Sequence, residues 1–222
     1  MDVVAKVRKN MDKTVKMMIR KSRELPFPEP YWLRDPIAIV TMMKQRYSPD
    51  LRGMIDVYQV GTEEVGSILC VDAQGKGELL LGRECRGKGS FVVVKDCKPF
   101  GLAVGTYHTH PGSQPCLSPG DFENGIPGTF FSCLGWKDLN RQYWLKAVAL
   151  DNYYFMPYED QIFIDQKIDD ALVLEKEMQN IVKEVSYVPC QDTRALANRY
   201  IRMLVALCTS IEAKLGAYTV QL

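Results

Sequence analysis

The sequence predicts an α/β fold in which a mainly antiparallel sheet of short strands is bracketed by helices. Three features carry this expectation. From residue 53 to about 155 the chain is a series of short runs rich in Val, Ile, Leu, Phe and Tyr, separated by Gly, Lys, Asp and Asn, which is the texture of strands and turns. Before and after that block, apolar residues recur at steps of three or four, the spacing of amphipathic helices. The composition, 46% apolar and 25% charged over 222 residues, is that of a globular chain and excludes wholesale disorder or a fibrous repeat.

The elements follow in order. Val4, Val7, Met11, Val15 and Met18 form one stripe of a helix over residues 3–24, with eight Lys or Arg covering the rest. Such a basic amphipathic helix packs on its own domain or a partner, or meets an anionic surface. The run Leu25-Pro26-Phe27-Pro28-Glu29-Pro30 breaks it and reads as an extended linker. Asp35-Pro36 then offers an N-cap with Pro in the first helical position, opening a helix to about Tyr47. Strand runs are expected at 54–60, 65–71, 78–81, 90–94, 102–108, 144–150 and 153–156, with turns at 73–77 and 86–89. Ile168, Leu172, Met178, Ile181 and Val185 restore helical spacing. Val188-Pro189 interrupts it, and Leu196, Tyr200, Leu204, Leu207, Ile211 and Leu215 resume it. The breaks divide the chain into 1–30, a central domain 31–186, and a C-terminal helix in 187–222 that packs on the domain or on a partner.

Charge and cysteine usage narrow the function. With 28 Lys plus Arg against 27 Asp plus Glu the net charge is +1, a poor basis for binding nucleic acid by bulk electrostatics. The apolar runs fall well short of the roughly 18 to 20 residues that a membrane span requires, so no span is expected. The charged start lacks the features of a secretory signal, and seven scattered cysteines include no C-x-x-C pair. Together these predict reduced thiols and a cytoplasmic location.

Both histidines of the chain stand in Tyr107-His108-Thr109-His110-Pro111, at the end of an apolar run. On an extended chain residues i and i+2 share a face, so two imidazoles can converge on one ion at the rim of a sheet. Asp121 follows within Ser118-Pro119-Gly120-Asp121, which reads as a helix start with Ser as N-cap, Pro at the first position and a carboxylate at the third. Two His and one Asp suit a catalytic Zn2+ that keeps its fourth position for water. A carboxylate outside the coordination shell must move the proton, and Glu63 and Glu64 are the candidates.

The spacing His108-x-His110-x7-Ser118-x2-Asp121 resembles the motif of the JAMM (MPN-plus) zinc metalloproteases at every defined position, and Glu63-x-x-Gly66-x-Ile68-Leu69 resembles that family's Glu-x-x-Gly strand. The resemblance implies a cytidine-deaminase-like fold over roughly residues 36–186, with a curved mixed sheet flanked by helices. It implies His108, His110 and Asp121 as ligands of one catalytic zinc, Glu63 as general base and Ser118 as a hydrogen-bond donor to the oxyanion. Glu64 would then face the other side of its strand, an assignment that a one-residue slip in register exchanges. The chain departs from the family where Cys70-Val71-Asp72 replaces a second glycine, and where the glycine-rich stretch 122–143 makes a poor long helix. With no third histidine, and with Cys116 and Cys133 too few to build a second centre, one zinc is expected; Cys116 reads as a bystander in the motif loop.

The expected function is hydrolysis of amide or isopeptide bonds, with a ubiquitin-like or small sulfur-carrier-like protein, or its conjugates, as the substrate. A general or viral-assembly peptidase with the same chemistry, or a non-catalytic MPN-type scaffold subunit, are the alternatives. A nucleic-acid deaminase is disfavoured because its Cys-pair zinc signature and His-x-Glu order are absent. The terminal helices could serve a homodimer or a larger proteolytic complex.

Overall fold

The structure, a computed structural model, describes residues 29–60, 64–72, 77–87, 101–110, 114–187 and 191–222. The expected basic helix at 3–24, most of the Pro-rich linker and the strand at 90–94 lie outside these residues, as does Glu63.

The first described helix, α1 (Pro36–Val60), runs far past Tyr47 and absorbs the segment 54–60 expected as a strand. Asp35 caps its start by accepting the Ile37 N–H at 2.9 Å. The reason for its length is periodicity: Ile39, Val40, Met43, Leu51, Met54 and Ile55 are all buried and fall on one helical stripe across Pro49. A proline inside a helix removes one donor and crowds the preceding turn. Pro49 sits on the exposed side, and the neighbouring Ser48 hydroxyl donates to the Lys44 carbonyl at 2.6 Å.

The strands are β1 (Val65–Val71), β2 (Leu79–Leu81), β3 (Cys85–Arg86), β4 (Leu102–Thr109), β5 (Phe131–Lys137), β6 (Tyr143–Val148) and β7 (Ala217–Gln221). They form one sheet in the order β2-β1-β4-β5-β6-β7, with β3 also pairing β1. Every described pairing is antiparallel except β4 with β5, which is parallel, so the sheet is mixed. The parallel pair needs a crossover, supplied by α2 (Pro119–Gly128). The stretch 122–143, expected as a glycine-rich loop, thus holds most of α2 and all of β5. The segment 153–156 forms no strand: Tyr153 and Tyr154 end a 3-10 turn (Leu150–Tyr154), and Phe155 and Met156 follow it in a turn and bend.

The sheet has two covered faces. Tyr107, Phe131, Cys133, Leu145 and Ala147 pack with α1 in one core cluster. Leu134, Trp136 and Val148 pack in a second with α2, α3 (Tyr158–Tyr187) and α4 (Gln191–Leu215). Each fully buried Leu, Ile or Phe contributes about 1.5–3 kcal/mol, so both layers are structural. The C-terminal segment, expected only as a helix, also supplies β7. Gly216, at φ +92°, turns the chain out of α4, and Asn152 Nδ2 donates to the Leu215 carbonyl at 2.7 Å. Among the described residues no helix is long and apolar enough to cross a membrane.

Cysteine pairing departs from the expectation of reduced thiols. Cys70 is disulfide-bonded, whereas Cys85, Cys116, Cys133 and Cys208 are free. Bonding depends on Cα separation in the fold, which scattered sequence positions do not reveal.

One contact fixes the strand that underlies the site. A Cβ placed on Gly135 would lie 2.9 Å from Tyr107 Cζ and closer still to its hydroxyl oxygen, and Tyr107 is fully buried. Gly135→Ala is therefore expected to destabilise the fold by about 1–3 kcal/mol through overpacking, read as a lower denaturation midpoint at unchanged slope.

Candidate metal centre

The centre is assembled from the end of β4 and the start of α2. Residues paired across the sheet share a face, and the register Gly66↔His108↔Leu134↔Lys146 makes a row running from β1 to β6. His108 therefore rises on the side of the sheet that carries α2, α3 and α4, and His110, two residues on, follows it. Both imidazoles are buried, at 6% and 5% exposure.

Asp121 arrives from above. Ser118 has extended backbone angles and caps α2 with Pro119 next to it, as the Ser-Pro-Gly-Asp start predicts, and a reciprocal capping box with Asp121 is formed. Asp121 Oδ2 accepts from the Ser118 N–H and from the Ser118 hydroxyl, each at 2.7 Å. The same oxygen lies 3.3 Å from His108 Nε2 and 3.2 Å from His110 Nε2, and the two Nε2 atoms are 3.1 Å apart.

These three donor atoms form a nearly equilateral triangle. Ligands at about 2.0–2.1 Å from a tetrahedral dication such as zinc stand roughly 3.3–3.4 Å apart, so the triangle fits the base of such a site. The donors are of the right chemistry as well, two imidazole nitrogens and a carboxylate oxygen. His108, His110 and Asp121 could thus hold a metal ion.

The electrostatics agree. Burial disfavours ionisation at all three groups. It is outweighed at Asp121, where His108 and His110 hold the carboxyl well below its ordinary range. At His108 burial lowers the proton affinity, but the Asp121 and Glu64 carboxylates reverse this and raise it. At His110 burial prevails and, with His108 beside it, lowers it. His110 Nδ1 is buried without a hydrogen-bond partner of good geometry; the nearby Cys116 backbone favours its protonated form only slightly.

Of the two candidate carboxylates, Glu64 is described. It immediately precedes β1, is 7% exposed, and by alternation shares the face of Gly66 and hence of His108. Burial pushes its carboxyl up to about 7, His108 opposing and Asp121 adding to the shift. The Glu64 carbonyl accepts the Gly87 N–H at 2.8 Å, which anchors the strand entrance.

Cys116 is fully buried and stands outside the donor triangle. Its thiol pairs with Cys208 of α4, and that hydrogen bond together with burial keeps the Cys208 thiol protonated. Cys116, expected as a bystander in the motif loop, packs here against α4. Residues that sequence reasoning missed lie beside it: Lys146 on β6 and Glu212 on α4, both buried, reach the backbone just before Ser118. They are 66 positions apart and carry no local signal.

Ser118→Ala is expected to cost about 1 kcal/mol of stability through the lost cap. Because Ser118 also steadies Asp121, metal affinity should fall with it, measured by chelator competition alongside denaturation. No protein-family model matches the chain, and no curated protein matches it.

Proposed function

We propose that the chain is a zinc-dependent hydrolase of amide or isopeptide bonds, a metalloprotease of the JAMM (MPN-plus) kind that its motif resembles. The observation that carries the reading is the triangle of His108 Nε2, His110 Nε2 and Asp121 Oδ2, with separations of 3.1 to 3.3 Å. A zinc ion held there would polarise a scissile carbonyl and acidify water to near neutrality, with the fourth position left open.

The protein's own residues supply the rest. Glu64, on the His108 face with its carboxyl pushed up to about 7 by burial, suits a group that takes a proton from water and returns it to the leaving amine. Glu63 keeps the same assignment by resemblance, and substitution separates the two. In this reading the Ser118 hydroxyl, which donates to Asp121, would turn its proton to the oxyanion, a role worth about 3–4 kcal/mol where one donor matters. The burial of both histidines keeps bulk water from weakening these interactions.

The substrate in this reading is a ubiquitin-like or sulfur-carrier-like protein joined to an amine. Its extended tail would add along the β3 edge, which pairs β1 at Val65 and Gly66, next to the strand of His108. The test is metal analysis with cleavage of a panel of ubiquitin-like fusions, isopeptide conjugates and ordinary peptides. Near-stoichiometric zinc and cleavage lost in His110→Ala support the reading. Absence of zinc, or equal cleavage by His110→Ala, overturns it, and cleavage of ordinary peptides alone replaces the substrate class.

A further inference from the structure

A buried ion pair stands behind the metal centre. Lys146 Nζ lies 2.6 Å from Glu212 Oε2, with the two residues 8% and 2% exposed. Each partner also holds backbone: Glu212 Oε1 accepts the Leu117 N–H at 2.8 Å, and Lys146 Nζ donates to the Pro115 carbonyl. Residues 115–117 belong to no helix or strand, so their buried polar groups need partners from elsewhere. Leu117 directly precedes the cap residue Ser118.

The sheet register gives this pair its meaning. Lys146 and His108 stand in one row with Leu134 between them, two strands or roughly 10 Å apart on the same face. The rigid sheet therefore carries two fixed points, the histidines on β4 and the ammonium on β6, and residues 115–117 are held at the second. A buried ion pair is weak as a stabilising device, since a well-packed apolar pair of similar volume is often as good. Fixing backbone is something an apolar pair does not do. A site of this kind requires its groups to be held within about 0.5 Å, and Asp121 is carried by the helix that begins at this backbone.

We propose that Lys146 and Glu212 are positioning residues of the metal centre: their ion pair fixes residues 115–117 and so sets where Ser118 and Asp121 stand relative to His108 and His110. The inference rests on reading His108, His110 and Asp121 as metal ligands. It makes α4 part of the centre, although it supplies no ligand to it.

The experiment compares the full chain with Lys146→Met/Glu212→Leu, which leaves no buried charge unpaired. Zn2+ affinity is measured by chelator competition, and the visible spectrum of the Co2+-loaded protein reports ligand geometry. The double variant is expected to unfold at a lower denaturant midpoint, because the Leu117 N–H and the Pro115 carbonyl lose their partners, to bind Zn2+ when folded on the order of 10- to 100-fold more weakly, as for other groups that orient ligands, and to show an altered Co2+ spectrum. A folded double variant with parental Zn2+ affinity and Co2+ spectrum overturns the proposal while leaving the metal reading intact. A parent that binds neither ion overturns both. Should that variant not fold, Lys146→Met/Glu212→Gln keeps an acceptor for Leu117 and loses only the hold on Pro115. At least fivefold weaker Zn2+ binding then supports the proposal, and unchanged binding overturns it.

Discussion

His110→Ala and Asp121→Asn are each expected to lower Zn2+ affinity by more than about 100-fold, since even groups that merely orient ligands cost 10- to 100-fold. Asp121→Asn is the sharper case. Its amide keeps the size of the capping residue but removes the charge that faces both imidazoles at 3.2 and 3.3 Å. The loss is visible without any substrate. Zinc at about 100 times its dissociation constant stabilises a protein that binds it only when folded by roughly 2.7 kcal/mol, so the parent should melt higher with zinc and the variants should not. Binding also has a predictable pH dependence. Asp121 and Glu64 raise the proton affinity of His108 against the opposing effect of burial, and that proton must leave for a metal to bind. Affinity should therefore fall as pH drops through the His108 titration, with proton release measurable by calorimetry in buffers of different ionisation enthalpy. A parent whose melting temperature is indifferent to zinc, or an Asp121→Asn variant stabilised as much as the parent, would contradict the assignment.

The legibility of this site and the misreading of parts of the fold have the same cause. His108, His110, Ser118 and Asp121 lie within 14 consecutive positions, and their relations depend on two local periodicities, the alternation of a strand and the first turn of a helix. Ser118 caps α2 with Pro119 and Asp121 in its first turn, as the spacing predicted. Elements decided by distant packing were harder to read. The helix was expected to end near Tyr47, yet Leu51, Met54 and Ile55 continue the buried stripe of Ile39, Val40 and Met43 across Pro49. β5 is buried along almost its whole length, because it lies between β4 and β6 and is covered on both faces. Its sequence, Phe-Ser-Cys-Leu-Gly-Trp-Lys, therefore lacks the apolar-polar alternation of a half-exposed strand. For β7 a signal was present: Lys214 in the last helical turn and Gly216 after Leu215 mark a helix end, and Tyr218, Thr219 and Val220 suit a strand. Lys146 and Glu212 had no such signal, since a pair chosen by tertiary packing leaves no spacing to read.

Glu64→Gln is expected to bind zinc about as tightly as the parent and to lose about two to four orders of magnitude in kcat, the usual worth of a general base. Glu63→Gln should stay near parental. Gly66 pairs with His108, so Glu64 shares the histidine face two residues earlier, where it is buried. The opposite result, loss in Glu63→Gln alone, would give the role to Glu63 and restore the assignment implied by resemblance. The two carboxylates are also separable by pH. In the metal-free protein burial raises the Glu64 carboxyl to about 7 from an ordinary 4.5. The folded state then holds more protons than the unfolded chain between these values, so stability falls as pH rises from 4.5 to 7. Glu64→Gln should remove that slope in denaturant titrations at several pH values. With a dication beside it the ionised carboxylate is favoured, so the acidic limb of kcat should fall below pH 7 and disappear in Glu64→Gln. A limb that persists unchanged in that variant belongs to another group, and Glu64 would not be the proton acceptor.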